Sequence, residues 1–154
     1  MTMDPAPRNP AARPSLGRAL GETSRLVGKL HQRALAGFGT DFPTWMLLAL
    51  LSEIDGPAHV EWVQTELARR ADMAPAEVAR VLERSATAGH VGYRPENDPA
   101  TAELTEQGAA HFGALYRHSR EVTDAAFEGI AAEDVTVALR VLRVAGERAA
   151  TALG

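Results

Sequence analysis

Glu66-Leu67-Ala68-Arg69-Arg70-Ala71-Asp72-Met73-Ala74-Pro75-Ala76-Glu77-Val78 opens the stretch on which the reading of this chain turns. Glu66-Leu67-Ala68 closes a helical run, and the pattern breaks at Ala71-Asp72-Met73. Pro75, whose missing N–H costs nothing in a first turn, starts a second helix that runs to Ala88. Val78, Val81, Leu82 and Ala86 recur at helical spacing and form its buried stripe, and Gly89 lies just past its end. The opposite face carries Glu77, Arg80 and Arg84 at three- and four-residue intervals, with Ala76 beside them at the start. After Gly89-His90-Val91 come two short strand patterns, Val91 to Arg94 and Ala100 to Leu104. They flank the turn-rich Pro95-Glu96-Asn97-Asp98-Pro99, so a β-hairpin follows the helix pair.

Working outward, Leu16, Leu20, Thr23, Val27, Leu30 and Ala34 share one helical face, capped by Ser15 and stopped by Gly37-Phe38-Gly39. Asp41 caps the next helix, with Pro43 in its first turn. The run Trp45-Met46-Leu47-Leu48-Ala49-Leu50-Leu51 is apolar all round, which predicts a helix buried mid-fold, from Trp45 to Glu53. Asp55-Gly56-Pro57 turns the chain, and Ala58-His59-Val60 adds a short strand. The helix after it turns Trp62 or Val63, with Leu67 and Ala71, inward. Thr105 caps another long helix with Phe112, Leu115, Ser119, Val122, Ala126 and Ile130 on one face and Gly129 near its end. In the last helix Val135, Leu139, Leu142, Gly146, Ala149 and Leu153 alternate four and three apart, a seam that calls for a partner helix.

The composition agrees with a mostly α protein. Of 154 residues 45% are apolar but only 5% aromatic, so the core is built from Ala, Leu and Val, and Ala and Leu favour helix. With no cysteine there is no disulfide and no thiolate nucleophile. Residues 1–14 hold four prolines and no apolar segment, which predicts a disordered tail rather than a signal peptide. No stretch approaches the roughly 20 apolar residues that cross a bilayer, so a cytoplasmic protein without a membrane partner is expected.

The order helix, helix, Glu66-Leu67-Ala68, turn, Pro75 to Ala88, Gly89-His90-Val91, hairpin, and then Leu104-Thr105-Glu106-Gln107-Gly108 resembles the MarR family of winged-helix transcriptional regulators. The likeness spans about Leu16 to Leu153. The E-L-A tripeptide together with the wing-closing L-T-x-x-G is its most specific part. The resemblance implies a winged helix-turn-helix lobe over residues 41–105 and a helical dimerisation region over 15–40 and 106–154. It further implies a homodimer whose first and last helices interlock, a pseudo-palindromic double-stranded DNA operator, and a small phenolic or aromatic carboxylate ligand. Independently, the terminal apolar stripes need burial that pairing across a two-fold axis supplies. Recognition helices so paired would sit roughly 34 Å apart to reach successive major grooves.

On this reading the DNA-binding candidates are Arg80 and Arg84, whose guanidinium groups can fork onto guanine or bridge phosphates, with Ala76, Glu77 and Arg94 around them. Glu77 repels phosphate but can accept from a cytosine amino group. Members of the family carry an arginine two residues after the wing aspartate. Here Asp98 is followed by Pro99 and Ala100, and Glu96 makes the tip acidic. From Pro57 to Leu104 five arginines face eight carboxylates, a net of −3 within a chain of net −4. That sign opposes tight non-specific DNA binding. Two readings therefore stay open: a ligand-responsive repressor with weak or salt-sensitive operator binding, and a winged-helix dimer that binds protein or small molecules instead.

For a ligand, Trp45 with His31 and His111 can line an aromatic wall bearing a few polar groups. The same Trp45 also suits a core position, and each histidine an ordinary surface one. His111 and His118 lack the further ligands of a metal site. No phosphate loop, H-E-x-x-H or nucleophile elbow is present, so no catalytic residue, metal or cofactor is expected.

Overall fold

The computed structural model describes residues 15–154, so the expected N-terminal tail lies outside the described residues. It comprises two compact units that part between Thr123 and Asp124.

The first unit begins with α1 (Leu16–Ala36), whose N-terminus is capped by Ser15 Oγ accepting from the Arg18 N–H at 3.2 Å. Asp41 Oδ1 accepts from the Thr44 N–H at 2.9 Å and caps α2 (Phe42–Ser52), with Pro43 in its first turn. Helix α2 is the hub of the lobe. Leu47, Leu48, Leu50 and Leu51 are all at most 1% exposed, as an all-round apolar helix requires. Burying each leucine contributes about 1.5–3 kcal/mol.

The short strand β1 (Ala58–His59) ends a residue earlier than expected, because the Val60 N–H donates to Ala100 O while Val60 itself begins α3 (Val60–Ala71). Val63 and Leu67 take the inward positions of α3. Trp62 faces out at 40% exposure, which decides between the two inward candidates. Asp72, in the left-handed region at φ 52°, ends α3 and drops Met73 into the core. Helix α4 (Pro75–Thr87) buries Val78, Val81 and Leu82 as expected. The fourth buried position is Ser85 rather than Ala86, which is half-buried, because Ser85 follows Val78 by seven residues on the same stripe.

Strands β2 (Val91–Arg94) and β3 (Thr101–Leu104) form the wing, antiparallel in the register Val91 to Leu104 and Arg94 to Thr101. Ala100 falls outside β3. The sheet order is β1, β3, β2, with Ala58 opposite Ala102. One core joins α2, α3, α4 and this sheet. The architecture is a winged helix-turn-helix.

Helix α5 (Glu106–Asp124) starts at a built junction. Thr105 Oγ1 donates to Gly89 O at 2.6 Å and accepts from the Gly108 N–H at 2.9 Å, while the Thr105 N–H donates to His90 O at 3.1 Å. Any side chain on Gly108 would overlap the His90 carbonyl. The motif L-T-x-x-G thus fastens the start of α5 to the exit of α4. Leu115 and Ser119 are buried on the expected face.

In the second unit the helix expected to continue to Gly129 instead tightens into a 3-10 turn (Ala125–Phe127), and Gly129 at φ +80° redirects the chain. Ala126 and Ile130 consequently leave the predicted α5 face; Ile130 is 49% exposed. Helix α6 (Ala132–Leu153) opens with Glu133 and Asp134, which suit the positive end of its dipole. It has no buried residue, and its expected seam is exposed along its length.

Candidate functional site

The outer face of α4 is held by its inner one, since the buried Val78, Val81 and Leu82 fix the rotation of the helix. Ala76, Arg80, Glu83, Arg84 and Thr87 are then exposed and Glu77 is half-buried. Arg80, Glu83, Arg84 and Thr87 line one open hollow on that face.

The five arginines of the lobe are not equivalent. Arg69 and Arg70 both bond Glu66, at 2.8 and 2.9 Å, and Arg70 reaches on to Glu53 at 2.8 Å. Hydrogen bonding by Arg69, and then by Arg70, holds the Glu66 carboxyl below its ordinary range. Arg84 turns back to the start of α2, donating from Nη2 to Asp41 Oδ2 at 2.9 Å and to Thr44 Oγ1 at 3.1 Å. Burial pushes the Asp41 carboxyl up, but the hydrogen bonds from Thr44 and the Arg84 charge outweigh it and leave its pKa lowered. Among the described residues, Arg80 and Arg94 are the arginines of the lobe without an ion pair. Arg94 ends β2 at the base of the wing, and its carbonyl accepts from the Asn97 N–H at 3.4 Å. Pairing of Arg84 with Asp41 spans 43 residues, and no local pattern announces it.

A second group of side chains lies where α1, α2 and α5 meet. The His31 ring stands edge-on to Trp45 with centroids 5.0 Å apart, and to Phe42 at 6.2 Å. Trp45 in turn meets Phe112 at 5.1 Å and stacks with Tyr116 at 6.1 Å. His31 Nδ1 is 2.6 Å from Ser119 Oγ, and burial lowers the pKa of the imidazole. Trp45 is half-buried and Tyr116 is 44% exposed, so the wall is open on one side.

His111 is not part of that wall. Its ring stacks on His90 at 4.1 Å and meets Phe38 at 6.5 Å, because on α5 it is one residue, about 100° of helical rotation, from Phe112. The structure thus joins His31 to Trp45 and separates His111 from both. Phe112 and Tyr116, four apart on α5, are the wall residues that the sequence reading did not single out.

No protein-family model and no curated protein sequence matches this chain. Solved structures do. A MarR-family protein from Bacillus stearothermophilus superposes with a TM-score of 0.71 at 18% identity, over 88% of this chain and 93% of its own. One from Mycobacterium tuberculosis gives 0.66 at 24% identity, over 88% and 95%. BpsR of Bordetella bronchiseptica, described with regulation of its DNA binding by 6-hydroxynicotinic acid, gives 0.67 at 16% identity, over 92% and 98%. The chain has the MarR fold. In that fold α4 is the second helix of the helix-turn-helix, and the hairpin from Val91 to Leu104 is the wing. No described helix is long and apolar enough to cross a membrane.

Proposed function

We propose that the protein is a MarR-type transcriptional regulator, a homodimer that represses by binding a pseudo-palindromic operator and is released by a small aromatic ligand. The observation that carries the reading is the exposed, unpaired Arg80 on a helix whose opposite face is locked into the core. Arg94 supplies a second free cation at the wing base. Pairing of α1 and α6 between protomers is supported by the exposed apolar residues of each, Leu16, Leu20 and Leu26 on one and Leu139, Val141 and Leu142 on the other.

The aromatic wall of His31, Trp45, Phe112 and Tyr116 suits a planar phenol or carboxylate, whose acidic group can reach the His31 and Ser119 pair. Solved neighbours hold ligands of this kind: the Mycobacterium tuberculosis protein with p-aminosalicylic acid and CouR of Rhodococcus jostii with p-coumaroyl-CoA. A ligand that favours one spacing of the two lobes over another would release DNA by population shift.

Electrophoretic retardation of DNA from upstream of the protein's own gene, at two salt concentrations, tests the reading. Retardation is expected at low salt and should weaken at the higher one, given the net −3 of residues 57–104. Arg80→Ala should cost about 1–3 kcal/mol of operator affinity if the lost contact is to a base; unchanged binding would remove α4 as the reading surface. The wing tip, made acidic by Glu96 and Asp98 and carrying Ala100 where the family places arginine, favours a second reading in which the dimer docks a basic protein segment. Absence of retardation even at low salt selects it.

A further inference from the structure

We propose that the stacked rings of His90 and His111 form an acid-operated release at the junction of α4 and α5, which loosens α4 from the start of α5 when both rings are protonated. His90 stands where the two helices are tied together. Its N–H donates to Ser85 O at 2.9 Å, in the last turn of α4, and its carbonyl accepts from the Thr105 N–H at 3.1 Å, just before α5. Its side chain adds a third tie, because the ring lies on that of His111 with centroids 4.1 Å apart and planes 12° from parallel. The first two ties are backbone bonds between groups that do not titrate. The third responds to acid: neutral rings stack, whereas two imidazolium rings at that separation repel.

The surroundings offer no counter-charge for those protons. Both rings line a cavity with Phe38, Thr40, Thr44 and Arg84, and among the described residues no carboxylate lines it. From α4 the charged group that faces the cavity is Arg84, a fixed cation. At the start of α2, Asp41 Oδ2 accepts from Arg84 Nη2 at 2.9 Å and so answers that charge instead. From the turn after α1, Phe38 meets His111 at 6.5 Å and His118 at 5.1 Å, so the next histidine along α5 can add only a further positive charge. Gln107, beside Gly89, is neutral. Burial, and then the charge of His90, lowers the pKa of His111, so the closed junction resists the proton and acid favours the open one. Opening also lets water reach the Ser85 hydroxyl, which is buried and has no hydrogen-bond partner when the junction is closed. On the proposed function, on which this last link alone rests, a loosened α4 reads DNA less well. The direction is diagnostic, since acid makes the protein more positive and by charge alone would strengthen its attraction to phosphate.

NMR of the full-length protein at pH 7.5 and pH 5 tests the release. On acidification the His90 and His111 ring resonances should lose the mutual shielding of stacked rings. Protection of the Thr105, Gly108 and Ala109 amides from hydrogen exchange, corrected for intrinsic rate, should fall about tenfold. His90→Phe and His111→Phe each keep a flat ring without its charge, and in both the protection should be the same at the two pH values. His31→Gln, in the other aromatic group, should leave the fall in place. Unchanged protection in the parent protein, or a fall that persists in both phenylalanine variants, would overturn the proposal. Retardation of the upstream DNA at fixed salt should weaken several-fold at the lower pH in the parent protein and not in His90→Phe. Equal or stronger retardation of the parent at the lower pH would overturn the link to DNA. No retardation at either pH, with the fall in protection present, would fault the functional reading and leave the release standing.

Discussion

Arg84 sits between two anionic choices. It is bound to Asp41 in this chain, and on the proposed function a DNA phosphate competes for it. Asp41→Asn keeps a side-chain oxygen to cap α2 but removes the charge that holds Arg84. Loss of an exposed ion pair costs about 0–1 kcal/mol of stability. Operator affinity should instead rise a few-fold, roughly 1 kcal/mol or less on the same scale. The gain should vanish in the double variant with Arg84→Ala, which separates release of Arg84 from the general loss of a negative charge. A gain that persists there would assign the effect to net charge alone.

At the same scale, two histidines make stability depend on pH. Burial lowers the pKa of His31, and burial followed by the charge of His90 lowers that of His111. Both folded values therefore lie below the ordinary histidine value of about 6.5 held in the unfolded chain. The unfolded state binds more protons in that window, so stability is retained above about pH 6.5 and is lost as pH falls through it toward the lowered folded values. Melting temperature measured from pH 7.5 to 5 should decline, and His31→Gln should flatten the decline. A flat profile in the parent protein would show that neither ring resists protonation.

Among the elements, the junction between α4 and α5 is the least tolerant. Gly108 lies against the His90 carbonyl, and Thr105 bonds both ends of the turn. A methyl group there must push α5 off the exit of α4, and overpacking of this kind costs about 1–3 kcal/mol. Gly108→Ala should lower the thermal or urea midpoint accordingly, whereas Gly113→Ala, whose added methyl would meet nothing nearer than the tip of Arg117 at 3.8 Å, should not. Equal effects would mean that the glycines matter through helix propensity and not through contact. The elements were largely legible in the chain because capping and periodicity are local: Ser15, Asp41, Thr105 and the Val78, Val81, Leu82 stripe all stand where their spacing put them. The end of α5 was not, since no breaker precedes Gly129 and the tightening at Ala125 has no local marker.

At the level of the molecule, α6 presents Leu139 at 63% and Leu142 at 45% exposure, along a seam spaced like a coiled coil. An exposed apolar stripe of that length calls for a partner, and the proposed dimer provides one. Leu139→Arg leaves the folded chain little changed but places an unpaired charge in such an interface, a cost on the order of 3–5 kcal/mol. Light scattering should find the parent dimeric and the variant monomeric at micromolar concentration. A variant that stays dimeric would exclude this seam from the interface.

The sequence by itself determined the winged helix-turn-helix, the buried α2 hub, the outward face of α4 and the acidic wing tip. All of these rest on relations within a few residues, which helix and strand periods translate directly into faces. Only the tertiary structure decided which cations are free and which aromatics share a wall. Arg84 meets Asp41 across 43 positions, and His111 turns to His90 while His31 joins Trp45, Phe112 and Tyr116. Such pairings depend on how helices from distant parts of the chain are packed, and packing is set by the whole core rather than by any one stretch.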